Sequence, residues 1–99
     1  MKFYHTKVVV DHIEGSCPYF KEGDSFRIER SGIIADESTS LKGICFWAIT
    51  AMSPYLTVMT RGAWDKKEDY VMCPDPGPRF GGLASVRFKL IKGEEEHYD

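Results

Sequence analysis

Ninety-nine residues, 42% hydrophobic and 28% charged, describe one small globular domain and exclude a disordered or fibrous chain. The formal net charge of −2, with no basic stripe interleaved with aromatics, argues against nucleic acid as a partner. No apolar run approaches the ~20 residues of a membrane span and no signal-peptide pattern opens the chain, so no membrane partner and a cytoplasmic location are expected.

In chain order, Lys7 to Glu14 holds Val8-Val9-Val10 and Ile13, a β-branched run that predicts a strand covered on both faces. Gly15 to Gly23 reads as a loop carrying Cys17-Pro18, and Lys21-Glu22-Gly23-Asp24 as a tight turn. Phe26 and Ile28 alternate with Arg27 and Glu29, the pattern of a half-buried strand. Ser31 to Gly43 mixes turn residues with Ile33-Ile34 and predicts a loop, or a short strand and then a loop.

From Ile44 to about Arg61 the period lengthens. Ile44, Ala48, Ala51, Met52, Tyr55, Leu56 and Met59 recur at three- and four-residue spacing, the mark of a helix with one apolar face. Pro54 interrupts the run, which predicts either a kinked helix or two helices meeting at Ser53-Pro54, with Gly62 as the stop. Phe46 falls opposite the apolar stripe and is expected to be exposed. Trp47 and Trp64 are expected as core or loop anchors.

Tyr70 to Cys73 predicts a short strand ended by Cys73-Pro74-Asp75-Pro76-Gly77-Pro78. Val86, Phe88 and Leu90 alternate with Arg87 and Lys89 in the clearest strand pattern of the chain. Glu94, Glu95, Glu96 and Asp99 make the last positions acidic and predict a solvated end. The fold class is therefore α+β, a small antiparallel sheet with one Pro-broken helix packed on one face. A single domain over 1–99 is expected, with its core at about 7–92 and an acidic tail at 93–99.

If the chain has chemistry, it is expected to run through its three cysteines. Their odd number argues against a secreted disulfide framework. Cys45, just after Gly43 and with Ser40 upstream as a cap, is placed in the first helical turn, where unpaired N–H groups and the helix dipole favour a thiolate. The same position also suits a small buried hydrophobe. Cys73 and Asp75 are held stiffly between two prolines, which suits a ligand or an acid–base pair, and equally an ordinary turn.

Cys17 has the weakest case alone, and Asp24 commonly stabilises its own turn. Together Cys17, Cys45 and Cys73, with Asp75, Asp24 or His12 as a fourth ligand, would suit zinc or another thiolate-bound metal. Against that, zinc ligands usually come in close pairs, and these cysteines are 28 residues apart in both intervals. A thiol enzyme in the strict sense lacks a base, since nothing ties His12 to a cysteine. His5 and His97 lie near the ends and are expected to be solvated.

The motif order resembles a known family. Gly15-x-Cys17-Pro18, Gly23-Asp24-x-Phe26, Gly43-x-Cys45 with Pro54-Tyr55, and Cys73-Pro74-Asp75-Pro76 before a final alternating strand are similar to a family of short prokaryotic proteins found as single domains or tandem repeats. The resemblance covers about residues 7 to 92 and carries a motif set, with no established activity. It implies Cys17, Gly23, Asp24, Cys45, Pro54, Cys73, Pro74 and Asp75 as the positions of interest. The chain departs from the pattern after Asp75, where Gly77 to Gly82 lengthens the connection.

Two functions remain open on these residues. One is a cysteine-centred site binding a metal or small ligand, with Cys45 as the reactive or ligating thiol, Cys73 its partner and Asp75 the polar support. The other is a non-catalytic interaction or oligomerisation module with structural cysteines, since a chain this short buries only about two-thirds of its unfolded surface. A homo-oligomer or a partner protein fits that second reading.

Overall fold

The alternating segments pair as the pattern requires. The computed structural model describes residues 2–29, 33–36, 45–63 and 66–97. Strand β1 spans Lys2–Gly15, β2 Ser25–Glu29, β3 Ile33–Asp36, helix α1 Phe46–Thr60, β4 Glu68–Met72 and β5 Ala84–His97, with a 3-10 turn at Pro78–Phe80. The strands form one antiparallel sheet in the order β3-β2-β1-β5-β4, and α1 packs on one face of it. The α+β class read from periodicity is the class observed.

Register explains which residues make the core. Val8 stands opposite both Phe26 and Leu90, and Phe88 stands opposite both Val10 and Val71. Cross-strand partners share a face, so these six side chains form one apolar surface. The helix covers it with Ala48, Met52, Leu56 and Met59, all buried. The other face stays open and polar, with Arg87 on Asp11 (2.5 Å), Lys89 on Glu68 (3.3 Å) and Arg27 on Glu29 (2.8 Å).

One alternative is decided here and two expectations change. Of one helix or two at Pro54, the structure has one, continuous through Pro54. Pro54 and its neighbours are exposed, so the bond missing at its nitrogen leaves Thr50 C=O on the solvent side. Tyr55, placed on the apolar stripe by spacing, is exposed instead. The acidic end also differs, since β5 runs on to His97, pairing Lys2, Phe3 and Tyr4 with His97, Glu96 and Glu95. Backbone pairing with β1 organises those residues, while the carboxylates of Glu94 and Glu95 remain in solvent.

Gly62 ends the helix for two reasons. Its φ of +72° is a left-handed conformation, and Gly62 N–H and Ala63 N–H donate to Met59 and Val58 carbonyls, a paired C-terminal closure. A Cβ there would also meet the Tyr4 ring at 2.5 Å. Ile44, Ser40 and Trp64 lie outside the described residues, so the cap assigned to Ser40 and the anchor assigned to Trp64 are outside them too. Among the described residues no helix is long and apolar enough to cross a membrane.

Candidate functional site

One end of the sheet collects the pieces. The C-terminal end of β1, the start of β5 and the C-terminal end of β4 lie side by side because the strands are antiparallel neighbours, with Gly15 opposite Ala84 and Met72 opposite Arg87. Ser16 N–H donates to Leu83 C=O (3.3 Å), which binds the loop after β1 to the segment before β5. Cys17 follows immediately, Cys73 follows β4, and Cys45 begins α1 above them. All three cysteines are free, half-buried, and line one cleft of about 330 Å³.

The cleft is mostly apolar. Phe20 and Phe88 form its floor, their rings edge to face with centroids 5.3 Å apart. Ala48, Ala84 and Val86 complete the buried wall. Tyr19, Trp47 and Leu83 stand at the exposed rim. Trp47, expected as an anchor in the core or a loop, is 64% exposed and packs edge to face on Phe46, itself exposed as expected. The helix turns Ala48 and Met52 inward, and one residue of offset swings Trp47 out to the rim.

The three thiols have different surroundings. Cys45 is the N-cap residue with extended backbone (φ −64°, ψ 122°), one position before the first turn in which the sequence placed it. Its carbonyl accepts the first helical bond from Ile49 N–H (3.1 Å), and its side chain makes no capping hydrogen bond. Cys17 likewise packs against the edge of the core. Cys73 is bound into the sheet. Its N–H donates to Val86 C=O (2.9 Å), and Val86 N–H donates to the Cys73 sulfur (3.3 Å) rather than to the Cys73 carbonyl. The thiol in turn faces the carbonyls of Ala84 (3.8 Å) and Asp75 (3.9 Å). Cys73 thus terminates the β4–β5 ladder with its side chain.

Asp75 organises the connection between β4 and β5. Its two carboxylate oxygens accept N–H bonds from Gly77 (2.8 Å) and Leu83 (3.2 Å). Gly82 N–H closes back on Gly77 C=O (2.8 Å), and a Cβ on Gly82 would fall onto the Asp75 carboxylate. The Gly77 N–H holds the Asp75 carboxyl below its ordinary range. Partial desolvation opposes this, and the N–H groups of Leu83 and Ala84 add to it. The carboxylate is therefore a clasp for residues 75–84. It is Asp75's backbone carbonyl, not this carboxylate, that meets the Cys73 thiol.

The remaining candidates lie elsewhere. Asp24 is buried, and its Oδ2 accepts the Lys21 N–H (2.8 Å) while Asp24 N–H returns to Lys21 C=O (3.1 Å), the tight turn read from the sequence. It does not line the cleft. His12 is exposed beside Glu22 (3.2 Å) and does not line the cleft. Among the described residues no three His, Cys, Asp or Glu side chains stand close enough to hold a metal ion. Phe20, Trp47, Leu83 and Phe88 were not singled out as site residues by the sequence. Spacing assigns Phe88 to a strand, Phe20 to a loop and Trp47 to core or loop, and their convergence depends on pairing between distant segments.

A mutation separates the role of Cys73 from that of the other two thiols. Cys73→Ala leaves the buried Val86 N–H without an acceptor, and the expected loss of stability is about 1–3 kcal/mol. Cys73→Ser, which restores an acceptor, recovers part of that loss in urea unfolding. Equal stability of all three proteins would remove the ladder-ending role.

Comparison of the chain with family models, with curated proteins and with solved structures found no match.

Proposed function

We propose that this chain binds a small molecule in the thiol-lined cleft, with Cys17 and Cys45 presented to it and with Cys73 and Asp75 holding its wall. The observation that carries the reading is the convergence of three cysteines, each 28 residues from the next, onto one apolar cleft. Independent packing of three small hydrophobes has no need to place them around a single opening. A reducing compartment such as the cytoplasm suits three free thiols in this reading. Kinship with the short prokaryotic proteins of similar motif order belongs to the same proposal.

The test is alkylation by N-ethylmaleimide, followed by peptide mass mapping, with and without members of a small-molecule library. A cleft ligand at about ten times its Kd slows a shielded thiol by about tenfold. Cys17 and Cys45 are expected to be slowed together, with no change in their rates after unfolding. If no compound slows either thiol, the reading fails. If protein purified without oxygen or chelator carries one thiophilic ion per chain, lost in Cys45→Ser, the site is a metal site instead.

One observation favours the interaction-module alternative. Tyr19, Trp47 and Leu83 at the cleft, and Phe46 against Trp47, are each more than half exposed. Light scattering over a range of concentrations discriminates the two: a mass that doubles with concentration in the native chain, but not in Trp47→Ser, assigns this rim to a second copy.

A further inference from the structure

The charge of the cleft walls selects among ligands, and this inference rests on the small-molecule reading above. Among the described residues no Lys, Arg or His lines the cleft, so none of those side chains is placed to neutralise an anion. Among the described residues the one carboxylate on the wall is Asp75, whose two oxygens accept the Gly77 and Leu83 N–H groups. A cation paired with it would compete with the two bonds that hold residues 75–84. The helix terminus beside Cys45 adds only a partial positive charge, and its pull is weak. Moving a carboxylate from water into an apolar site without a partner costs considerably more than that pull returns. Desolvation therefore outweighs the helix end, and a charged ligand is disfavoured on either sign.

Shape points the same way. The floor is a pair of aromatic rings set edge to face, and the rim carries Tyr19 and Trp47. The accessible rings of Tyr19 and Trp47 favour planar rings through offset stacking and edge contacts, above the buried Phe20–Phe88 pair. A volume of about 330 Å³ lies at the small end of ordinary ligand cavities. We propose that the ligand class of this cleft is a neutral, largely apolar molecule with a planar ring system, held between the Phe20–Phe88 floor and the Tyr19–Trp47 rim.

The experiment uses three probes that share a ring and differ in charge: 2-naphthamide, 2-naphthoate and 2-naphthylmethylammonium. Binding is measured by calorimetry at neutral pH, with alkylation of Cys17 and Cys45 as the report on location. The neutral amide is expected to bind at least about tenfold tighter than either charged probe. It is also expected to slow both thiols. Trp47→Ala, a change at an exposed position that the fold tolerates, is expected to weaken the amide by about tenfold while unfolding stays unchanged.

Tighter binding of the carboxylate or the ammonium, with the thiols still protected, overturns the charge assignment and leaves the cleft reading standing. Undiminished amide affinity in Trp47→Ala overturns the ring-stacking geometry. If no probe protects the thiols but another library compound does, this ligand class is wrong and the cleft reading survives. If nothing protects them, both fail.

Discussion

Phe88→Ala is expected to lower the free energy of unfolding by about 3–5 kcal/mol, the largest effect of any single truncation considered for this chain. Phe88 has no exposed surface and lies on β5 between β1 and β4, opposite Val10 and Val71. Its ring meets Phe20 edge on and forms the floor of the cleft. Removing it deletes the transfer free energy of the ring and joins the resulting void to the cleft. A domain of this size has a total stability of about 5–15 kcal/mol, so the variant should be marginal. Urea unfolding should show a lower midpoint at an unchanged slope. Alkylation of Cys17 and Cys45 should quicken, because the wall behind them has gone. A loss below about 1 kcal/mol would show that the site collapses around the missing ring, contrary to the packing described here.

The second expected result concerns Asp75 and acid. Asp75→Asn keeps one acceptor but turns an amide N–H₂ towards a backbone N–H, either that of Gly77 or that of Leu83. Two donors then face each other, and the 75–84 segment is expected to loosen. Limited proteolysis should cut within it, and binding in the cleft should weaken, since Asp75, Leu83 and Ala84 line it.

The native carboxyl titrates below its ordinary value of 3.8, so it favours the folded state at all pH values above that. As pH falls below about 4 the unfolded chain takes up the proton first, and this contribution is lost progressively until the folded carboxyl is itself protonated. The native protein should therefore lose stability more steeply between about pH 5 and pH 3 than Asp75→Asn does. Parallel curves for the two proteins would remove Asp75 from the acid response.

Parts of this architecture were legible in the residues because they obey local rules. Alternation at Phe26–Ile28 and Val86–Leu90 marks strands wherever those strands end up paired. The three- and four-residue spacing of Ala48, Met52, Leu56 and Met59 marks a helix face wherever it packs. Asp24 closing its own turn and Gly62 ending the helix are likewise decided within a few residues. Trp47 escaped this reasoning because an apolar ring next to the buried stripe reads as core. Its exposure follows from its place on the helix, one residue before the buried Ala48. Glu94–His97 escaped it because charge predicts contact with solvent but says nothing of backbone pairing to Lys2–Tyr4.

The candidate site divides along the same line. By itself the sequence determined most of the element types, the presence of three cysteines, and the stiffness of Cys73-Pro74-Asp75-Pro76. Only the tertiary structure decided that the three thiols line one cleft, because this requires β5 to lie between β1 and β4 and a register that sets Gly15 against Ala84. It also decided that Cys73 and Asp75 are held by backbone N–H groups of Val86, Gly77 and Leu83. Local propensity acts over a few residues, whereas these partners lie up to 13 residues away along the chain. They come within reach once the closure of the sheet has offset the entropy of bringing the segments together.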